Sequence, residues 1–223
     1  MKNIGKLWAV VIILFSASCN HNYSTGLFAR QATNGTEWTL TSRLGQALGL
    51  AEAKYGPRDP SWTILGLEFY DQNHPQLWFP DPGRKQMIIQ LSKNSAKNQE
   101  RALFEMAHEV VHVLAPRIGP DTASVFEEGL AVHFSLEYLK TAGIHTNPEN
   151  FLKDEKYKKA YDLVKQLCGS NPRGDECIQA ARKKAGGFSE ISAMGLQECF
   201  PGFETSVYED LAGNFSRFTE DFR

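Results

Sequence analysis

Apolar residues recur in two rhythms along this chain, and the changes of rhythm mark its elements. Over residues 41–55, Leu44, Ala47, Leu48, Leu50 and Ala51 fall at helical spacing, and Gly56-Pro57 ends the run. Residues 63–70, a stretch near 76–79 and residues 86–92 read as strands; in the last, Met87, Ile89 and Leu91 share one side. Residues 80–83 turn between the second and third. Helical spacing returns over 99–114, with Ala102, Leu103, Met106, Val110 and Val113 apolar. Pro116 stops that helix, because it lacks an amide hydrogen and restricts Ala115 before it. A loop over 117–122 leads to a second helix, about 124–141, with Gly143 as its stop. From Pro148 the pattern is helical over 148–167, 176–184, 190–199 and 204–218. A small sheet, then a helix pair, then a helical lobe predicts an α+β fold, with 38–223 as one domain.

Chemistry enters with His108-Glu109-Val110-Val111-His112 inside the first helix of that pair. Residues four apart project from one helical face, so both imidazoles can reach one metal ion, with the Glu109 carboxylate beside them. Two ligands from one helix leave zinc short of the three protein ligands of a catalytic site. A carboxylate from the next helix, in Phe126-Glu127-Glu128-Gly129-Leu130-Ala131, can complete the set. Glu128 is the better placed, since its face continues through the small positions Ala131, Val132 and Ser135. Glu127 points about 100° away around the helix and stands as the alternative. Glu105, one turn before His108, is either a hydrogen-bond partner for a ligand imidazole or an ordinary carboxylate. His133 reads as a packed residue, and His74 and His145 fall in turn-rich stretches with no assigned role.

Together, the HEVVH and FEEGLAVHF segments resemble the gluzincin group of zinc metallopeptidases, and in particular its compact peptidase MA-like members. The resemblance covers residues 86–138 and extends weakly into the C-terminal third. It implies a zincin-like fold, Zn2+ held by His108, His112 and Glu128, and Glu109 as the general base in hydrolysis of a peptide or protein substrate. It also implies a Tyr or His that stabilises the oxyanion; Tyr138, Tyr157, Tyr161 and Tyr208 are all candidates. The competing metzincin pattern fails, because it needs Gly at 115 and a ligand at 118, where this chain has Ala115 and Ile118. A zinc site closed by cysteines has no support near the histidine pair. A protein that keeps the fold for binding or scaffolding, without turnover, is the reading from another class.

The start of the chain reads as an address. Lys2 and Lys6 precede the apolar run of residues 7–15, and Ser16-Ala17-Ser18 supplies small residues before Cys19. Residues 1–18 are therefore expected to be a signal peptide. Cys19 resembles a bacterial lipoprotein acylation site, which would attach the protein to a membrane in the cell envelope; Ser16 departs from the usual Leu, and the same triplet suits ordinary signal peptidase. Residues 19–37, polar and rich in Asn, Thr, Ser and Gly, read as a tether. In an oxidising compartment Cys168 and Cys177, which flank a turn-prone link, are expected to pair and leave Cys199 free, although pairing with Cys199 stays open.

Charge narrows the partners. The 24 basic and 26 acidic residues nearly balance, and no basic run interleaved with aromatics appears, which removes support for nucleic-acid binding.

Overall fold

The computed structural model of the protein describes residues 30–31, 37–119 and 123–218. The expected signal peptide and the candidate lipidation site Cys19 lie outside the described residues. β1 (Arg30–Gln31), inside the expected tether, pairs antiparallel with β2 (Glu37–Trp38), which straddles the tether's expected end at residue 37. Among the described residues, no helix is long and apolar enough to cross a membrane.

The architecture is α+β. Helix α1 (Leu40–Tyr55) opens on a reciprocal cap between Thr39 and Ser42, which satisfies two amides that have no intrahelical partner. It ends at Gly56, whose φ of 89° suits glycine. Three strands follow: β3 (Thr63–Phe69), β4 (Gln76–Asp81) and β5 (Gln86–Leu91). Their order in the sheet is β3-β5-β4, with β3 parallel and β4 antiparallel to the central β5. Met87, Ile89 and Leu91 of β5 are fully buried on the expected shared side. β4 forms one edge of this sheet.

Helix α2 (Gln99–Leu114) has the bounds its periodicity predicts, capped at its start by the Asn98 side chain. Helix α3 (Val125–Thr141) is capped by Ser124 and closes through Ile144 N–H donating to Leu139 C=O (2.9 Å), with Gly143 at φ 77°. α3 is buried on nearly every side because it packs against α2, α4 (Glu155–Ser170) and α7 (Thr205–Ala212). Between α4 and α7 lie α5 (Gly174–Ala185) and α6 (Ala193–Cys199). The expected helix over 148–167 starts later, since Pro148–Asn150 forms a 3-10 turn and Asp154 caps α4. Likewise the expected helix over 204–218 ends at Ala212, and Phe215–Arg217 is a separate 3-10 turn.

The disulfide differs from the expected pairing of Cys168 with Cys177. Cys177 bonds Cys199, with Cα atoms 5.4 Å apart, and Cys168 is free. The Asn171 side-chain amide donates to the Cys199 carbonyl (2.7 Å) and draws the end of α6 to the turn before α5. Cys168, on α4, instead stands among Lys54, Glu137 and Asp175, where burial and then the Asp175 charge push its thiol up to about 12.

Candidate metal centre

Two helices build the centre. α2 and α3 pack along much of their length, with the small buried residues Ala107 on α2 and Ala131 on α3. Ser135 is also buried, its hydroxyl satisfied by the Ala131 carbonyl (2.7 Å). This approach brings one ligand atom from each of His108, His112 and Glu128 within 4.8 Å of one another. The two imidazole Nε2 atoms are 3.3 Å apart, and Glu128 Oε2 lies 3.2 Å from His108 Nε2. Glu128 Oε1 stands 3.7 Å from His112 Nε2.

The donor set fits a metal ion on three counts. Glu128 Oε2 is buried and makes no aligned hydrogen bond, despite its closeness to His108, so its lone pairs are left for another partner. Secondly, His112 Nδ1 lies 2.8 Å from Glu127 Oε1, which places a proton on Nδ1 and leaves Nε2 as the nitrogen that faces the centre. Lastly, the local field favours positive charge. Burial pulls the His112 imidazole down, yet Glu128, Glu127 and Glu109 outweigh it and hold it up at about 10. The Glu128 carboxyl is lowered, since His112 and His108 outweigh the effect of burial. This buried group can therefore hold a metal ion.

Glu127, considered in the sequence only as an alternative ligand, has a different position. It buttresses His112 and is itself held by the Ser189 hydroxyl. Ser189 Oγ in turn accepts from the Ser124 amide (2.7 Å) at the start of α3. Ser189 lies between α5 and α6, 77 positions beyond the imidazole it steadies through Glu127, and no local pattern marks it. Glu105 does not touch the imidazoles. Its carboxylate accepts from the Ser92 amide (2.9 Å) and hydroxyl (2.7 Å) and pairs with Arg101 (2.9 Å), tying α2 to the end of β5.

The centre opens into a cleft of about 360 Å³ that includes Glu109, Tyr157, Phe215 and the β4 residues Gln76, Leu77 and Phe79. Burial, ahead of any nearby charge, raises the Glu109 carboxyl above its usual range. Of the four tyrosines, Tyr157 is the one that lines this cleft, its ring 6.0 Å from that of His108. Burial, then the charges of Glu128 and Glu109, raise its phenol. Tyr138 donates to the Arg43 carbonyl, Tyr208 to the Phe200 carbonyl, and Tyr161 packs near His133. His74, given no role by the sequence, stands at the cleft rim, whereas His133 pairs with Glu137 on another side of α3.

No family model matches the chain, and neither a curated protein nor a solved structure matches it at a significant level.

Proposed function

We propose that this chain is a zinc-dependent peptidase of the gluzincin type, with a zincin-like fold. The observation that carries the reading is convergence: His108, His112 and Glu128 meet at one point while Glu109 and Tyr157 line the same cleft. A site built only to store a metal has no need of a free carboxylate and a phenol beside the ligands. Zinc, when bound, supplies Lewis-acid activation of water and of a peptide carbonyl. Glu109 takes the proton of the attacking water on a carboxylate oxygen and passes it to the leaving nitrogen. The Tyr157 hydroxyl, which has no hydrogen-bond partner among the described residues, donates to the oxygen that gains charge. Glu127 keeps His112 in the tautomer that directs Nε2 inward.

The substrate reading rests on β4. As an edge strand it pairs with β5 on one side only, and its residues Gln76, Leu77 and Phe79 contribute to the cleft wall. An extended peptide can add to that edge through its backbone amides and carbonyls. Residues 1–18 and Cys19 extend the proposal to an exported enzyme held at the envelope by a lipid on Cys19.

The test is Glu109→Gln in purified protein. We expect one zinc per chain in both forms, cleavage of a broad peptide library by the parent, and none by the variant. Cleavage at the parental rate by Glu109→Gln would sink the assignment. Zinc at one per chain with no chelator-sensitive cleavage by the parent would favour the binding or scaffold protein instead.

A further inference from the structure

The strand that borders the cleft carries a large side chain the metal centre does not use. Along β4, Leu77 and Phe79 line the cleft, whereas Trp78 between them does not. Successive side chains of a strand point to opposite faces, so Trp78 stands on the far face of the sheet. Its partner there is Ile88 of β5, whose neighbours Met87 and Ile89 are fully buried on the core side. Trp78 is 44% exposed, a large apolar ring left uncovered at the edge of the sheet.

The backbone beside it is framed at both ends. Pro75 precedes Gln76 and Pro80 follows Phe79, and neither has an amide hydrogen. The pairing with β5 also breaks register between Trp78 and Asp81, where Phe79 and Pro80 stand against Met87 alone. Four consecutive amides therefore remain, those of Gln76, Leu77, Trp78 and Phe79. Successive amides of a strand alternate between its two edges, so two of the four face outward, where β4 has no strand neighbour among the described residues. Trp78 lies inside this short window. A peptide paired with it must carry one of its own side chains past the indole, since paired residues share a face.

We propose that Trp78 is a specificity-determining residue: an extended peptide pairs with Gln76–Phe79 and lays a large apolar side chain on the indole, on the face of the sheet away from the metal. The inference rests on the peptidase reading, and adds to it which substrate side chain is selected. Neighbouring side chains of the same peptide turn to the other face, towards Leu77 and Phe79 in the cleft. Selection is confined to a short stretch of substrate, because the prolines end the row of donors on either side of the window.

The experiment is fluorescence anisotropy on the full chain with zinc, in the Glu109→Gln background so that turnover plays no part. The probes are a labelled alanine-based octapeptide and the same peptide with one central phenylalanine. We expect the phenylalanine peptide to bind about fivefold more tightly, and Trp78→Ala to bring that ratio close to one. Leu65→Ala, an exposed change on β3 at the opposite edge of the sheet, should keep the ratio. In a second arm the phenylalanine peptide is N-methylated on one or the other set of alternate amides. The set that faces β4 should lose roughly tenfold or more in affinity, and the other set far less. An unchanged ratio in Trp78→Ala, no preference for phenylalanine, or equal loss in the two methylated forms would overturn this inference and leave the peptidase reading standing wherever the parent cleaves. Neither binding nor cleavage of any peptide would overturn both.

Discussion

Gly129 follows Glu128 directly and faces α4, so an alanine there tests how the ligand carboxylate is positioned. A Cβ at this position would lie 2.8 Å from the Ala160 carbonyl carbon and 2.7 Å from Val164 Cγ2, and closer still to the Ala160 carbonyl oxygen. Carbon atoms in ordinary contact sit about 3.5 Å or more apart, so α3 and α4 must separate by roughly 0.7–1 Å. Overpacking of that kind costs about 1–3 kcal/mol, while alanine in place of glycine in a helix returns about 1 kcal/mol. The net loss is thus about 0–2 kcal/mol, equivalent to a few degrees in unfolding temperature at this size.

The effect on the centre is proportionately larger. Glu128 is the residue before the clash, and Tyr157 is on the helix that must recede. Zinc–oxygen bonds are near 2.0–2.2 Å with a tolerance of about 0.2 Å, so a shift approaching 1 Å breaks the ligand geometry. We expect Gly129→Ala to lose roughly tenfold or more in zinc affinity, measured by competition with a fluorescent chelator, while remaining folded by circular dichroism. Because the tightest contact is with backbone, adding Val164→Ala should not restore affinity. Parental affinity in Gly129→Ala, or full rescue by Val164→Ala, would refute the close approach of α3 and α4 as the cause.

Three further outcomes follow from particular contacts. Glu127→Gln removes the carboxylate that fixes the His112 tautomer, so zinc affinity should fall about 10- to 100-fold in the same competition assay, and an unchanged value would deny Glu127 that role. Glu137 is pushed up by burial but held down more strongly by His133 and Lys54, at about 2; a depressed folded-state value means stability present above the ordinary carboxylate range near 4.3 and lost as pH falls towards 2. Thermal unfolding across that window should therefore fall more steeply in the parent than in Glu137→Gln, and parallel curves would count against the pairing. The disulfide spans 22 positions, so Cys199→Ser should cost about 3 kcal/mol in chemical denaturation, whereas Cys168→Ser should cost far less; linked peptides containing Cys168 in a non-reduced digest would contradict the bridge.

How much of this was legible in the sequence depends on how local the cause is. α2 runs over the expected residues because its apolar period, the Asn98 cap and Pro116 all act within a few positions. The strands likewise follow from alternation and from the turn expected over residues 80–83, although β4 runs on through Asp81 and the turn itself is Pro82–Arg84. α3 gives a weaker signal about its facing, since it is apolar on nearly all sides. Its two adjacent glutamates are separated by tertiary contact: Glu128 meets both imidazole Nε2 atoms, and Glu127 reaches His112 Nδ1. Periodicity also carries no information about which of four tyrosines reaches the cleft, or which of three cysteines meet. Those choices are made where α4, α5 and α6 fold back, and their cues are single contacts such as Asn171 to Cys199.

The distant segments explain why the helix pair alone does not make the centre. The first amides of a helix have no partner within it, and at α3 they lie where the ligand carboxylate must be held. Here the chain from beyond α7 supplies partners: Val125 N–H donates to Gly213 C=O and Phe215 N–H to Ala123 C=O, each at 2.9 Å, around a bridge between Ser124 and Asn214. The same segment places the Phe215 ring 4.7 Å from that of Tyr157 at the cleft. Ser189 adds the hydrogen bond that steadies Glu127. The imidazoles thus come from α2, but the carboxylate that completes them, its neighbour that orients one imidazole, and the phenol opposite are positioned by the last third of the chain. That division accounts for a motif readable in five residues whose working geometry is spread over more than a hundred.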